Sequence, residues 1–300
     1  MMNKDVGNDN HRLYYLSVCC VFLVAGLFFS CKLSSKENEN GAYIRKDIQY
    51  GDNPIQNMDV YLIANRTAET PLVVLVHGGG WMNGDKRDAD FMKDACFNNN
   101  INVVNINYRL ASPDIHYEEI MSDINSAMSY VLEHAGEWNI RKDKFIFWGG
   151  SAGGHLSLLY AYNYDHHEII AAVITLGAPT RFDDVNDSSG FKQTDLEGLL
   201  PLITGKPWSN DSSLLDEAYK HASPYYGKKL KPTLLVHGEL DNIVPQSQAK
   251  IMHELLLRKH VASTLFILPN GGHAGENTTK EVADKLNQTM YEWMIKYSRQ

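Results

Sequence analysis

The sequence predicts an α/β fold with a mainly parallel sheet, and two observations carry that prediction. Short apolar, β-branched runs recur along the chain, of the kind that strands buried on both faces require. Longer amphipathic stretches with helical period lie between them, and such alternation builds a parallel sheet flanked by helices. The runs are Leu72-Val73-Val74-Leu75-Val76, Val103-Val104-Asn105-Ile106, Phe145-Ile146-Phe147-Trp148, and residues 169–176, 233–236 and 264–268. Two earlier segments, 43–50 and 58–63, have no helix between them and are expected to form an antiparallel edge, making eight strands. Residues 117–138 carry Ile120, Ile124, Ala127, Met128 and Val131 on one helical face. Residues 246–257 and 280–297 read the same way.

The alternation breaks once. Residues 178–230 hold scattered acids, Gly and Pro around one apolar patch at 196–203. A long insertion after a strand commonly carries function, so this one is expected to form a small cap over the site. Phe182, Phe191, Leu199 and Trp208 would either line a pocket there or fill the core beneath it.

Composition excludes several classes. The chain has 300 residues, 44% hydrophobic and 21% charged, enough for one large domain with a sizeable core. Lys+Arg 28 against Asp+Glu 36 gives a net charge of −8 with no basic block, a poor basis for binding nucleic acid. Four cysteines do not make a disulfide scaffold. No period of the solenoid or propeller kind stands out.

The first residues read as an address. Residues 1–12 are polar with Lys4 and Arg12, 13–29 are apolar, and Ser30-Cys31 precedes a polar tail. This is the pattern of a secretory leader over 1–30, the alternative being a single N-terminal membrane anchor. Phe28-Phe29-Ser30-Cys31 resembles a bacterial lipobox, which implies lipidation of Cys31, a tether over 31–42 and an exported body, 43–300, held at a membrane. Cys19 and Cys20 would leave with the leader, and Cys96 is expected to be a small buried hydrophobe.

The chemistry starts at Gly149-Gly150-Ser151-Ala152-Gly153, a Gly-x-Ser-x-Gly between a strand and a helix. A sharp strand-to-helix turn lifts the Ser151 hydroxyl above the sheet edge and needs small neighbours. His77-Gly78-Gly79-Gly80-Trp81 follows another strand. Its glycines can turn backbone amides toward a ligand, as an oxyanion loop requires, and no Gly-Lys-Ser/Thr follows to make it a phosphate loop. His77 and His155 are expected to pack or brace rather than react.

A serine needs a base, and the base an orienting acid. Among twelve His, His273 stands apart in Pro269-Asn270-Gly271-Gly272-His273-Ala274-Gly275, a glycine loop beyond the last strand. The acid is Asp241, with Glu239 as rival, in His237-Gly238-Glu239-Leu240-Asp241 after the strand at 233–236. The chain order Ser151, Asp241, His273 is the one expected of an α/β-hydrolase.

These segments together resemble an α/β-hydrolase of the esterase/lipase group with a His-Gly-Gly-Gly oxyanion loop. Gly84-Asp85-Lys86, Asn107-Tyr108-Arg109-Leu110-Ala111, Gly150-Ser151-Ala152-Gly153-Gly154-His155-Leu156 and Asn242-Ile243-Val244-Pro245 match as well. The resemblance implies Ser151 as nucleophile, His273 as base, Asp241 as orienting acid, and the amides of Gly79, Gly80 and Ala152 as oxyanion hole. Short-chain acyl esters on polysaccharides are the implied substrates, because the chain is similar to acetylxylan and feruloyl esterases. Kynurenine formamidases share the Ser-Ala-Gly-x-His-Leu pattern, so amides stay open. A serine peptidase of the same fold and an inactive surface glycan-binding lipoprotein are further alternatives. The mechanism calls for no metal and no cofactor.

Overall fold

The computed structural model describes residues 41–183 and 198–300. Residues 1–30, expected to be a leader, Cys31, and the part of the insertion carrying Phe191 lie outside the described residues.

The eight strands are β1 (Tyr43–Gln49), β2 (Asn57–Leu62), β3 (Leu72–Val76), β4 (Asn102–Ile106), β5 (Phe145–Gly150), β6 (Ile170–Leu176), β7 (Thr233–Gly238) and β8 (Ser263–Leu268). They form one sheet in the order β1-β2-β4-β3-β5-β6-β7-β8. β1 pairs with β2 and β2 with β4 antiparallel, and every other pairing is parallel. The expected antiparallel edge is therefore present, and β1 is kinked by a register shift between Arg45 and Ile48, which blunts an open strand edge. This is the α/β-hydrolase architecture.

Strand alternation sorts the core into two layers. Val74, Val104, Phe147, Val173 and Leu235 face one side, packed with Ile124 and Met128 of α2 (Tyr117–His134), Leu156 of α3 (Ala152–Leu159) and Met252 of α6 (Ser247–Arg258). Val73, Leu75, Ile146, Trp148, Ile174 and Val236 face the other, against Met92 and Cys96 of α1 (Asp90–Phe97) and Trp293 and Met294 of α7 (Lys280–Arg299). Each such aliphatic side chain taken from water contributes roughly 1.5–3 kcal/mol. Cys96 is buried, and burial pushes its thiol well above the ordinary range, as suits a small core residue.

The connections fix where a ligand can sit. β3 leads through α1 outward to β4, and β4 leads through α2 back across β3 to β5. The direction of winding thus reverses between β3 and β5. Open α/β sheets bind ligands at such a switch point, at the carboxyl ends of the strands. The glycine loop leaves β3 and the Gly-x-Ser-x-Gly turn leaves β5 at that crevice.

The insertion contributes two short helices to the described residues, α4 (Leu200–Thr204) and α5 (Ala218–His221). α2 ends at His134 rather than 138, where Ala135 and Gly136 begin a turn. α3 runs from Ala152 and passes at Tyr160 into a wider-wound turn.

Candidate active site

Ser151 occupies the turn between β5 and α3 with φ 50 and ψ −124, a strained conformation for a residue with a side chain. Strain of this kind, of order 1–3 kcal/mol, is sustained only where the surroundings fix it. Here the Ser151 amide donates to Leu176 O of β6 at 2.7 Å, and Ser151 O accepts from His155 N at 3.0 Å. The turn is thus bound to the next strand and to its own helix.

Gly78 closes on it from β3. A Cβ at Gly78 would stand 3.0 Å from Gly150 O and 3.5 Å from Ser151 Cβ. Among the described residues, no protein acceptor takes the amides of Gly79, Gly80 or Ala152. Gly78 brings the loop that carries the first two against the Ser151 turn, and Ala152 is the residue after Ser151.

Asp241 and His273 meet beyond the ends of β7 and β8. His273 Nδ1 lies 2.8 Å from Asp241 Oδ2, and the carboxylate is fully buried. Asp241 Oδ1 accepts from Ile243 N and Val244 N, each at 2.9 Å. Burial raises the proton affinity of this carboxyl, but the hydrogen bonds from His237 and His273 outweigh it and hold Asp241 well below the usual carboxylate range. The Asp241 carboxyl is therefore ionised, and with a carboxylate at Nδ1 the free ring nitrogen of His273 is Nε2. The ring packs against the end of β6. A Cβ at Gly177, whose φ is +59, would lie 3.1 Å from Cε1 and Nδ1 of His273. Gly177 directly follows Leu176, the residue that bonds Ser151 N, so Ser151 and His273 both lie against the end of β6.

Two bonds couple the acid turn to the base loop. Leu240 N donates to Gly271 O at 2.8 Å. Asn270 N donates to Glu239 Oε2 at 2.9 Å. Glu239, the rival acid, is thereby committed to holding the His273 loop from outside.

The remaining histidines brace the site. His77 is buried, stacks on Tyr108 with centroids 4.3 Å apart, and sits 2.8 Å through Nδ1 from Gly78 O. Burial lowers its basicity. His155 accepts from Trp81 Nε1 through Nδ1 at 3.1 Å and donates through Nε2 to Ala222 O at 2.7 Å. Its ring stacks on Phe182, which also meets Trp81 edge-on. Phe182 thus belongs to the core, whereas Leu199 lies over the glycine loop: its Cδ1 is 3.1 Å from where a Cβ on Gly80 would stand. Trp208 packs edge-on to Tyr219 within the insertion.

Sequence reasoning gave no role to a polar cluster behind the glycine loop. Lys86 is buried, and its ammonium contacts Asp47, Asn57 and, at 3.2 Å, Asp59. Its amide donates to Asn107 Oδ1 at 2.6 Å, and Asn107 Nδ2 reaches Asp85 Oδ2 at 2.9 Å. The turn at 84–86 is thereby nailed to β2 and β4, and it backs Gly78 and His77. Nearby, Arg109 forks onto the buried Asp123 carboxylate, with contacts down to 2.6 Å. Among the described residues no group of three or more His, Cys, Asp or Glu is arranged to hold a metal ion.

Comparison with known proteins gives the family and the fold. The probable carboxylic ester hydrolase LipM of Mycobacterium tuberculosis is 28% identical over 68% of this chain and 49% of its own length. A probable isoprenylcysteine α-carbonyl methylesterase, ICMEL1, of Arabidopsis thaliana is 33% identical over 38% of this chain and 24% of its own. The chain thus spans half or less of these two relatives. Among solved structures, a truncated carbohydrate esterase from gut microbiota superposes with a TM-score of 0.69 at 18% identity, covering 88% of this chain and 99% of that one. Esterase 2 of Thermogutta terrifontis, phosphonylated by sarin, gives 0.70 at 19%, covering 86% and 96%. At such identities these two likenesses establish the fold. The BD-FAE family model matches residues 58–256, a span that runs from β2 to α6 and takes in the glycine loop, the Ser151 turn and Asp241. Through that match the chain belongs to the BD-FAE family.

Proposed function

We propose that this protein is a serine hydrolase of short-chain carboxylic esters, with acylated saccharides as the substrate class. The contact between His273 Nδ1 and Asp241 Oδ2, on a loop packed against the strand end that binds Ser151, carries the reading. His273 Nε2 takes the Ser151 proton as the oxygen attacks the ester carbonyl. The amides of Gly79, Gly80 and Ala152 receive the oxyanion, each worth roughly 3–4 kcal/mol in comparable sites. The tetrahedral adduct collapses, the alcohol leaves with the proton from His273, and water enters by the same base to free the acid. Asp241 stays ionised throughout and stabilises the imidazolium.

The short acyl chain is supported by Leu199, whose side chain lies over Gly80 of the glycine loop. The saccharide side is supported by the family match and by the likeness to the gut carbohydrate esterase. Export and a lipid on Cys31 complete the proposal, on the strength of the leader pattern.

The test is a panel assayed with wild type and Ser151→Ala: p-nitrophenyl acetate, butyrate and decanoate, acetylated xylan, methyl ferulate and an N-formyl amide. Serine-dependent turnover that falls from acetate to decanoate and extends to the xylan supports the reading. Serine-dependent turnover confined to the amide makes the protein an amidase with the same residues. Unchanged turnover in Ser151→Ala removes Ser151 from the mechanism.

A further inference from the structure

One imidazole at the acid turn has no part in the reaction as written. His237 is the penultimate residue of β7, fully buried, four residues before Asp241. Its Nε2 lies 2.8 Å from Val244 O and 3.2 Å from Asp241 Oδ2. A carbonyl can only accept, so Nε2 carries the proton, and that N–H lies between the carbonyl and the carboxylate. Nδ1 is buried with no protein partner among the described residues. An orphaned buried nitrogen is an expense that packing alone does not explain, since an apolar ring would fill the space without it.

We propose that His237 is a positioning residue for the acid of the triad: its Nε2–H pins the 241–244 turn through Val244 O and shares Asp241 Oδ2 with His273. The turn geometry supports this. Val244 donates its amide to Asp241 Oδ1 and offers its carbonyl to His237, so one residue is held on both sides. Oδ2 therefore meets two imidazoles, one fixed and one working. A fixed donor keeps the carboxylate aimed and disperses part of its charge, so that it stabilises the His273 imidazolium without trapping it. The other carboxylates on the surrounding loops are occupied elsewhere: Glu239 accepts from Asn270 N, and Glu276 from Ala274 N.

The inference rests on the triad reading, and the two fail separately. Ser151→Ala tests the triad. His237→Phe, which keeps a ring and removes the donor, and His237→Gln, whose amide nitrogen can approach the place of Nε2, test the positioning role. On an ester that the wild type turns over, His237→Phe is expected to lower kcat about tenfold, the size of one hydrogen bond to a charged group, with KM within about twofold. The acid limb of its kcat/KM profile should move to higher pH, because an undispersed carboxylate holds the imidazolium more firmly. His237→Gln should recover most of the rate and return the limb. His237→Met, smaller and also without a donor, repeats the comparison if the Phe ring is not accommodated. Wild-type rate and profile in the donorless variants would overturn the proposal. So would equal losses in Phe, Met and Gln with an unmoved limb, since that describes a space filler.

Discussion

His155 makes stability depend on pH in a window where few other buried groups act. It is completely buried, and burial pushes it down to about 4 from the ordinary 6.5. The unfolded chain takes up a proton there near pH 6.5, whereas the folded chain does so only near 4. Between those values the unfolded state binds more protons, so stability falls as pH falls. From pH 7 to pH 5 the loss from this one group is about 2 kcal/mol, of roughly 3 available over the whole shift. Beside burial, the hydrogen-bond geometry also disfavours the charged ring. Nδ1 is already the acceptor for Trp81 Nε1, and protonation would set two N–H groups against each other at 3.1 Å. The assay is urea unfolding at pH 7 and pH 5, at equal salt, for wild type and His155→Gln. The variant is less stable throughout, but its loss between the two pH values should be smaller than that of the wild type by about 2 kcal/mol. Identical losses in the two proteins would refute the assignment of His155 as a buried neutral ring.

Other perturbations read the site directly. Ser151→Ala or His273→Ala should lower kcat by about 10⁴-fold or more with the melting temperature little changed, because both side chains act on the reacting atoms. Gly177→Ala places a Cβ 3.1 Å from the His273 ring and strains a backbone at φ +59; stability should fall by about 1 kcal/mol and kcat by at least tenfold, read by thermal melts and initial rates. Lys86→Met leaves the buried Asp59 without its ammonium, and chemical denaturation should show a loss of about 3 kcal/mol. Export and lipidation are checked by labelling with a fatty acid, which should attach to the full-length chain and vanish in Cys31→Ser.

Most of the framework could be read from the chain because its signals are local. A β-branched run such as 72–76 has little choice but a strand buried on both faces, and four glycines and an alanine around one serine within 149–154 dictate a crowded turn. That Asp241 and His273 come together is legible from their order and their place beyond strand ends. Local signals left Asp241 and Glu239 as rivals. The structure separates them by direction: one carboxylate turns inward to His273, the other outward to Asn270 N. The same limit applies to Phe182 and Leu199. Both read as cap hydrophobes, yet one is sealed against Trp81 and His155 and the other overhangs Gly80.

What escaped the sequence is the polar bracing, and its partners explain why. Lys86 is held by Asp47, Asn57 and Asp59, which lie 27 to 39 positions away on other elements. His155 joins Trp81 to Ala222, 74 positions before it and 67 after it. A lysine after Gly-Asp looks like an exposed turn residue until the tertiary fold encloses it. These braces all sit behind loops, and that placement has a physical sense. In the proposed mechanism the reacting groups stand on irregular backbone, where no ladder of hydrogen bonds sets position, yet the amides and the imidazole would have to be held to within fractions of an ångström to act on one carbonyl. Apolar packing supplies adhesion without direction, whereas a buried hydrogen bond fixes both distance and angle. The glycine loop is therefore tied through Trp81 to His155 and backed by the Lys86 cluster, and the acid turn is tied through Val244 to His237. Desolvating those polar groups lowers stability; the return is that three loops from separate strands hold a single geometry.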